Sequence, residues 1–161
     1  MPEFSSEHGV CCTTLQKINF WKTQGKKIGF TNGCFDLLHP GHISLLKTAR
    51  ESCDRLVVGL NSDVSVQQLK GTTRPVKDQR SREIILMALE AVNAVIVFAE
   101  ETPLQLITEI KPDILVKGAD YNEKTIVGAD VVQSYGGEVL IVPFLEGYSS
   151  TKLIEKIAEE E

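Results

Sequence analysis

Nothing in this chain of 161 residues is apolar for long enough to cross a bilayer, and its first residues, Met1-Pro2-Glu3-Phe4-Ser5-Ser6-Glu7, lack the basic stretch and apolar core of a secretory leader. The expectation is a cytoplasmic protein with no membrane among its partners. Basic residues are in deficit: 17 Lys and Arg against 22 Asp and Glu leave a formal charge of −5. That balance argues against nucleic acid as a partner, because such a surface needs a basic face. Any polyphosphate must then be held by local cations, and Lys70, Arg74, Arg80, Lys117 and Lys152 each stand beside a loop or strand end. Cys11, Cys12, Cys34 and Cys53 show no Cys-x-x-Cys spacing and no second histidine cluster to join, so structural zinc has little support and reduced thiols are expected. Gly-x-Gly-x-x-Gly, Gly-x-x-x-x-Gly-Lys-Ser/Thr and the kinase strings are missing too, which opposes a dinucleotide cofactor and a P-loop. No internal repeat or low-complexity segment is present.

What is there fits one domain with a real core, at 42% hydrophobic residues. Residues 1–13 read as a flexible N-terminal lead and 14–161 as the domain. Leu15, Ile18 and Trp21 predict a cover helix over 14–24, ended by Gly25. Strands are expected at 27–32, 55–61, 94–98, 114–117 and 139–142; Leu56-Val57-Val58-Gly59-Leu60 is continuously apolar, as a strand buried on both faces requires. Helices alternate with them. One opens at Pro40 and repeats small or apolar residues at His42, Leu45, Leu46, Ala49 and Cys53; others follow over 62–68, 81–92 (through Ile84, Ile85, Ala88 and Leu89), 103–110, 126–135 and 149–158. The polar stretch Gly71–Lys77, with its proline, reads as a mobile loop and a plausible lid.

This alternation implies an α/β, doubly wound, Rossmann-like sheet of about five parallel strands with helices on both faces. Ligands of such sheets bind at the carboxyl ends of the strands, where Gly33 to His42, Asn61 and Lys117-Gly118-Ala119-Asp120 all fall. In Thr31-Asn32-Gly33-Cys34-Phe35-Asp36-Leu37-Leu38-His39-Pro40-Gly41-His42, strand runs straight into helix and leaves two histidines at the junction. A helix start attracts anions, and two imidazoles there add donors for a phosphate whose charge grows during reaction. Gly41, without a Cβ, lets a phosphate chain lie close to the backbone. Taken alone, His-x-x-His is also compatible with a cap plus a surface residue, or half of a metal site. Gly147-Tyr148-Ser149-Ser150-Thr151-Lys152 gathers hydroxyls and a lysine at another helix start. It reads as a second anion site or as an ordinary serine cap.

These strings resemble the cytidylyltransferase-like nucleotidyltransferases: His39, Gly41 and His42 match their His-x-Gly-His string, and Ser149, Ser150 and Thr151 their Ser/Thr-rich one, over about residues 25 to 157. Phe30 to Asp36, Val116-Lys117-Gly118-Ala119-Asp120-Tyr121, Ile126-Val127-Gly128 and Gly147 to Thr151 are similar, more narrowly, to the adenylyltransferase domain of bacterial heptose-phosphate enzymes. Two departures, Pro40 where alanine is common and Ser-Ser-Thr where Ser-Thr-Thr is frequent, remove no donor.

The resemblance implies transfer of AMP from ATP to D-glycero-D-manno-heptose 1-phosphate, with Mg²⁺ on the nucleotide. His39 and His42 would brace the α-phosphate, Lys70 and Arg80 would neutralise phosphates across the lid, and Ser149, Ser150 and Thr151 would hold the β- and γ-phosphates. Thr31, Asn32, Gly33, Cys34, Phe35, Gly41, Lys117 and Gly118 complete the nucleotide surface. Arg74, Asp36, Asp120 and Tyr121 are assigned to the sugar phosphate. Asp36 is also a candidate metal contact, direct or through water, or only a brace for its turn; Lys117 is either a phosphate ligand or an anchor for its loop. A homodimer and separate kinase and phosphatase steps are implied as well, because many relatives carry a fused sugar kinase. The alternatives are a cytidylyltransferase acting on glycerol 3-phosphate or a phosphoalcohol, since the core strings are shared, and a catalytically silent nucleotide sensor.

Overall fold

A computed structural model describes residues 12–119, 125–143, 145 and 147–159. Its elements follow the expected alternation: α1 (Cys12–Thr23), β1 (Ile28–Gly33), α2 (Pro40–Glu51), β2 (Arg55–Asn61), α3 (Asp63–Lys70), α4 (Gln79–Met87), β3 (Ala94–Phe98), α5 (Leu104–Ile110), β4 (Ile114–Gly118), α6 (Ala129–Ser134), β5 (Glu138–Val142) and α7 (Ser150–Glu159). The five strands form one parallel sheet in the order β3-β2-β1-β4-β5. Its two faces sort by strand periodicity. Phe30, Val57, Ile96 and Leu115 pack under Ile18 and Trp21 of α1, Ile107 of α5 and Val132 of α6. Leu56, Val58, Val95 and Val116 meet Leu46 and Ala49 of α2 and Leu86 of α4 on the other side. No helix of the described residues is long and apolar enough to cross a membrane.

Pairing along the sheet is uneven, and that unevenness makes the site. β1 pairs with β2 over its whole length, from Ile28 opposite Arg55 to Gly33 opposite Leu60. Its ladder with β4 consists of Gly29 opposite Ile114 and Phe30 opposite Leu115. Beyond them the two strands separate towards their carboxyl ends, opening a crevice at the point where the strand order reverses.

Several boundaries differ from the sequence expectation, each for a local reason. The helix expected over 14–24 already includes Cys12, the first of the described residues, and ends at Thr23; residues 1–11, most of the expected lead, lie outside those described. Asp78 caps α4 by accepting from the Ser81 N–H, so that helix starts at Gln79 rather than 81; it stops at Met87, well short of Val92. Gly128, at a φ of +85° that suits glycine alone, caps α6 and leaves Ile126 before it. The α4 stripe is also rotated. Ile84 is 44% exposed, whereas Arg82, Glu83 and Leu86 are buried.

α1 covers one sheet face, and none of its residues lines the crevice. Lys22 ties it down, donating from Nζ to the carbonyls of Ile110 and Lys111 at the end of α5, where helix carbonyls lack partners. Replacing Lys22 with Met should cost about 1 kcal/mol of stability, read as a lower urea midpoint at unchanged m-value.

Candidate active site

β1 feeds the site through a tight turn. Phe35 adopts a φ of +44°, a left-handed conformation that costs a residue with a Cβ. Its ring is buried and lies 5.3 Å from that of His42. His39 caps α2 with extended backbone, and its side chain makes no capping bond. The ring is instead stacked on His42, with centroids 3.8 Å apart and planes 23° from parallel, and Tyr148 lies 6.3 Å away on the α7 side. The His42 and Ile43 N–H groups both turn back to the His39 carbonyl, at 2.9 and 3.3 Å. At this helix start the imidazoles, rather than those two amides, are left to meet a ligand.

Both Nδ1 atoms are buried without a hydrogen-bond partner among the described residues. Burial lowers the pKa of His39. That of His42 falls to about 4, through burial first and then the neighbouring His39 and Lys70. Both rings are therefore neutral near pH 7, each able to give one hydrogen bond and accept one. Unpaired buried nitrogens are costly, and an anion arriving at the pair would remove that cost.

The crevice is a cleft of about 560 Å³ lined by Thr31, Asn32, Gly33, Cys34, Phe35, Asp36, His42, Lys70, Arg74, Lys117, Gly118 and Ser150 from the sequence expectation. Leu45, Asn61, Leu69, Glu101, Thr102, Pro103 and Val127 complete it. The segment from Glu101 to Pro103 carried no phosphate-binding signature; only its position after β3 at the same sheet end brings it in. His39 stands behind the His42 ring. Gly41, Arg80, Ser149 and Thr151 do not line the cleft in this structure, and Asp120 and Tyr121 lie outside the described residues.

Three polar clusters set the shape of the walls. Lys117, buried on β4, donates to Asn32 Oδ1 on β1 and so spans the strands where their ladder has ended. Ser150 Oγ donates to the Leu37 carbonyl at 2.9 Å, which fixes the start of α7 to the turn before α2, while Ser149 Oγ accepts from the Lys152 N–H at 3.5 Å as a serine cap does. Asp36, 2% exposed, holds the loop after α3: it accepts from Arg74 Nε at 2.7 Å, from the Val76 N–H at 2.9 Å to either oxygen, and from the Lys77 N–H at 3.0 Å. Burial alone would push this carboxyl up, but the bonds from Lys77, Val76 and Arg74 outweigh it and hold the pKa below the usual range. Three donors engage both oxygens, the Val76 N–H being shared between them. Asp36 thus braces the loop between α3 and α4, and the second half of that loop is tied down.

A divalent ion finds no cage here. Among the described residues there is no group of three His, Cys, Asp or Glu side chains placed to hold one, and Asp36 is engaged by three donors of the loop after α3.

Sequence reading missed Arg82. It is 1% exposed and stands on the same stripe as buried Leu86, four residues on. An arginine at a core position of a helix was the available signal. Its Nη1 donates to the carbonyls of Cys34 at 2.6 Å and Asn61 at 2.8 Å, its Nε to that of Lys77 at 3.0 Å, and its Nη2 to Asp63 Oδ1 at 2.8 Å. Arg80, expected at the phosphates, is exposed on the first turn of the same helix.

The chain is similar to known proteins. Residues 30–156 match the family model described as Cytidylyltransferase-like. The bifunctional protein HldE of Rhodopseudomonas palustris (strain BisA53) is 59% identical over 136 residues, 84% of this chain and 28% of that protein. Its namesake from Bradyrhizobium sp. (strain ORS 278) is 52% identical over 145 residues, 90% of this chain and 30% of that protein. The chain thus spans under a third of the length of these relatives. The crystal structure of the lipopolysaccharide core biosynthesis protein from Thermoplasma volcanium GSS1 superposes with a TM-score of 0.61 at 30% identity, covering 78% of this chain and 100% of the other.

Two outcomes test the geometry. A Cβ on Gly41 would lie 2.9 Å from His39 Cε1 and 3.0 Å from Nδ1, so Gly41→Ala should turn the His39 ring off the stack. The imidazole chemical shifts should change while the melting temperature stays within a few degrees. Because the pKa of His42 is depressed in the fold, its share of stability is complete above about pH 6.5 and is lost as the pH falls towards about 4. Thermal melts across that window should show a shallower decline for His42→Asn than for the wild type.

Proposed function

The chain belongs to the cytidylyltransferase-like family of nucleotidyltransferases, and within it we propose that this protein transfers AMP from ATP to D-glycero-D-manno-heptose 1-phosphate. A phosphate oxygen of the sugar attacks the α-phosphorus, the bond to the bridging oxygen breaks, and ADP-heptose and pyrophosphate leave. The observation that carries the reading is the neutral, stacked His39–His42 pair with unpartnered nitrogens, at the crevice between β1 and β4. The heptose is favoured by likeness to the HldE proteins and to the lipopolysaccharide core biosynthesis protein.

The attacking phosphate is already ionised near neutral pH, so positioning and charge stabilisation carry the reaction without a covalent intermediate. His42 donates to the α-phosphate as its charge grows, and His39 keeps that ring in place. Lys70 and Lys117 approach the phosphates from two sides of the cleft, with Arg80 joining if α4 shifts inward. Ser149, Ser150 and Thr151 receive the β- and γ-phosphates at α7. Arg74 faces the acceptor phosphate, with Asp120 and Tyr121 near the sugar hydroxyls. Mg²⁺ enters as part of the substrate, on the triphosphate oxygens, and supplies charge neutralisation there. A homodimer working in the cytoplasm completes the proposal.

Incubating the pure chain with ATP, Mg²⁺ and each anomer of the heptose 1-phosphate, then identifying the nucleotide product by mass, tests it. ADP-heptose from one anomer is the expected result. CMP transfer from CTP to glycerol 3-phosphate would reverse the assignment, and nucleotide binding without pyrophosphate release would mark a sensor. Removing one electrostatic donor typically costs 10²- to 10³-fold in turnover, so His42→Ala should lose about that much in a pyrophosphate assay.

A further inference from the structure

Arg74 uses its Nε on Asp36, and Nη1 and Nη2 make no hydrogen bond among the described residues. It is 9% exposed and lines the cleft, so a guanidinium with two uncommitted nitrogens forms part of the cleft wall, the donor geometry that suits a phosphate. The loop that carries it is gripped from two sides. Asp36 takes the N–H of Lys77, and Arg82 takes the carbonyl of the same residue. Arg82 also joins the ends of β1 and β2 through Cys34 and Asn61.

A buried guanidinium is a poor route to stability. Its desolvation is seldom repaid beyond what an apolar side chain of similar size would give, and such groups are retained where they fix one geometry among several. Here three of its four bonds end on main-chain carbonyls, each in a different segment at the mouth of the cleft.

We infer that Arg82 is a positioning residue that acts through Arg74: it clamps the loop after α3 to the ends of β1 and β2, and so presets the Arg74 fork for the acceptor's phosphate. This rests on the proposed transfer to a sugar phosphate. The fork is then built before the acceptor arrives, and ordering the loop costs nothing when it binds. ATP, bound chiefly at the histidine pair and α7, meets the clamp only through Cys34.

The experiment is a double-mutant cycle in the pyrophosphate assay with ATP and heptose 1-phosphate, using wild type, Arg82→Lys, Arg74→Lys and the double variant. Arg82→Lys should raise KM for the sugar phosphate about tenfold or more and leave KM for ATP within about twofold. In the Arg74→Lys background the same change should add little, since neighbours acting as one unit are not additive. Additive effects, a parallel rise in both KM values, or an unchanged acceptor KM would each overturn the inference while leaving the transfer reaction standing. A wild-type chain inactive with every sugar phosphate would overturn the transfer reading, and this inference with it. Should Arg82→Lys not fold, Asp63→Ala replaces it, because it removes one bond to Arg82 at a side chain that is 33% exposed. A smaller rise, again in acceptor KM only, is then expected; no rise overturns the inference.

Discussion

The site depends on one constraint of a parallel sheet: β1 and β4 are neighbours, but the chain leaves β1 towards α2 on one face and β4 towards α6 on the other, so no connection fills the space between their ends. The β1–β4 ladder ends after Phe30 and Leu115, and the crevice above it is the place where the sheet cannot close on itself. Everything polar at this end of the molecule answers to that gap. Lys117 spans it, α2 opens beside it, and the loop after α3 is drawn across its edge by Asp36.

Burial acts on two kinds of ionisable group there and gives opposite results. His42 is desolvated, beside His39 and Lys70, so the neutral ring wins and its pKa falls to about 4. Asp36 is desolvated too, but Arg74 and two backbone N–H groups supply what water would have given, and the charged form survives. One environment therefore holds a fixed anion that organises a loop and, through α2, a neutral pair free to meet an anion from outside. A charged His pair would bind phosphate more strongly at rest, but its mutual repulsion would oppose the close stack.

Much of the fold was legible because both of its periods are strong. The continuously apolar Leu56–Leu60 run could only be a strand covered on both faces, and β2 and β3 fall on the expected residues. The α4 stripe was misread because Ile84 and Ile85 outweigh an arginine on any hydropathy scale, whereas the fold values Arg82 for four hydrogen bonds that no scale records. Gly41 was legible as a residue that must be small. Its neighbour in the structure is the His39 ring, so it also makes room for the stack.

The sequence by itself determined the alternation of elements, the parallel sheet and the helix starts that carry the histidines and the serines, because periodicity and capping are local and survive in one dimension. Tertiary structure decided which side chains share the cleft and what each is free to do. Asp36 became a brace, Lys117 a span, and Arg82 the clamp behind Arg74. The reason is that a buried polar group takes its role from the partners that satisfy it, and those partners lie up to 85 residues away in the chain.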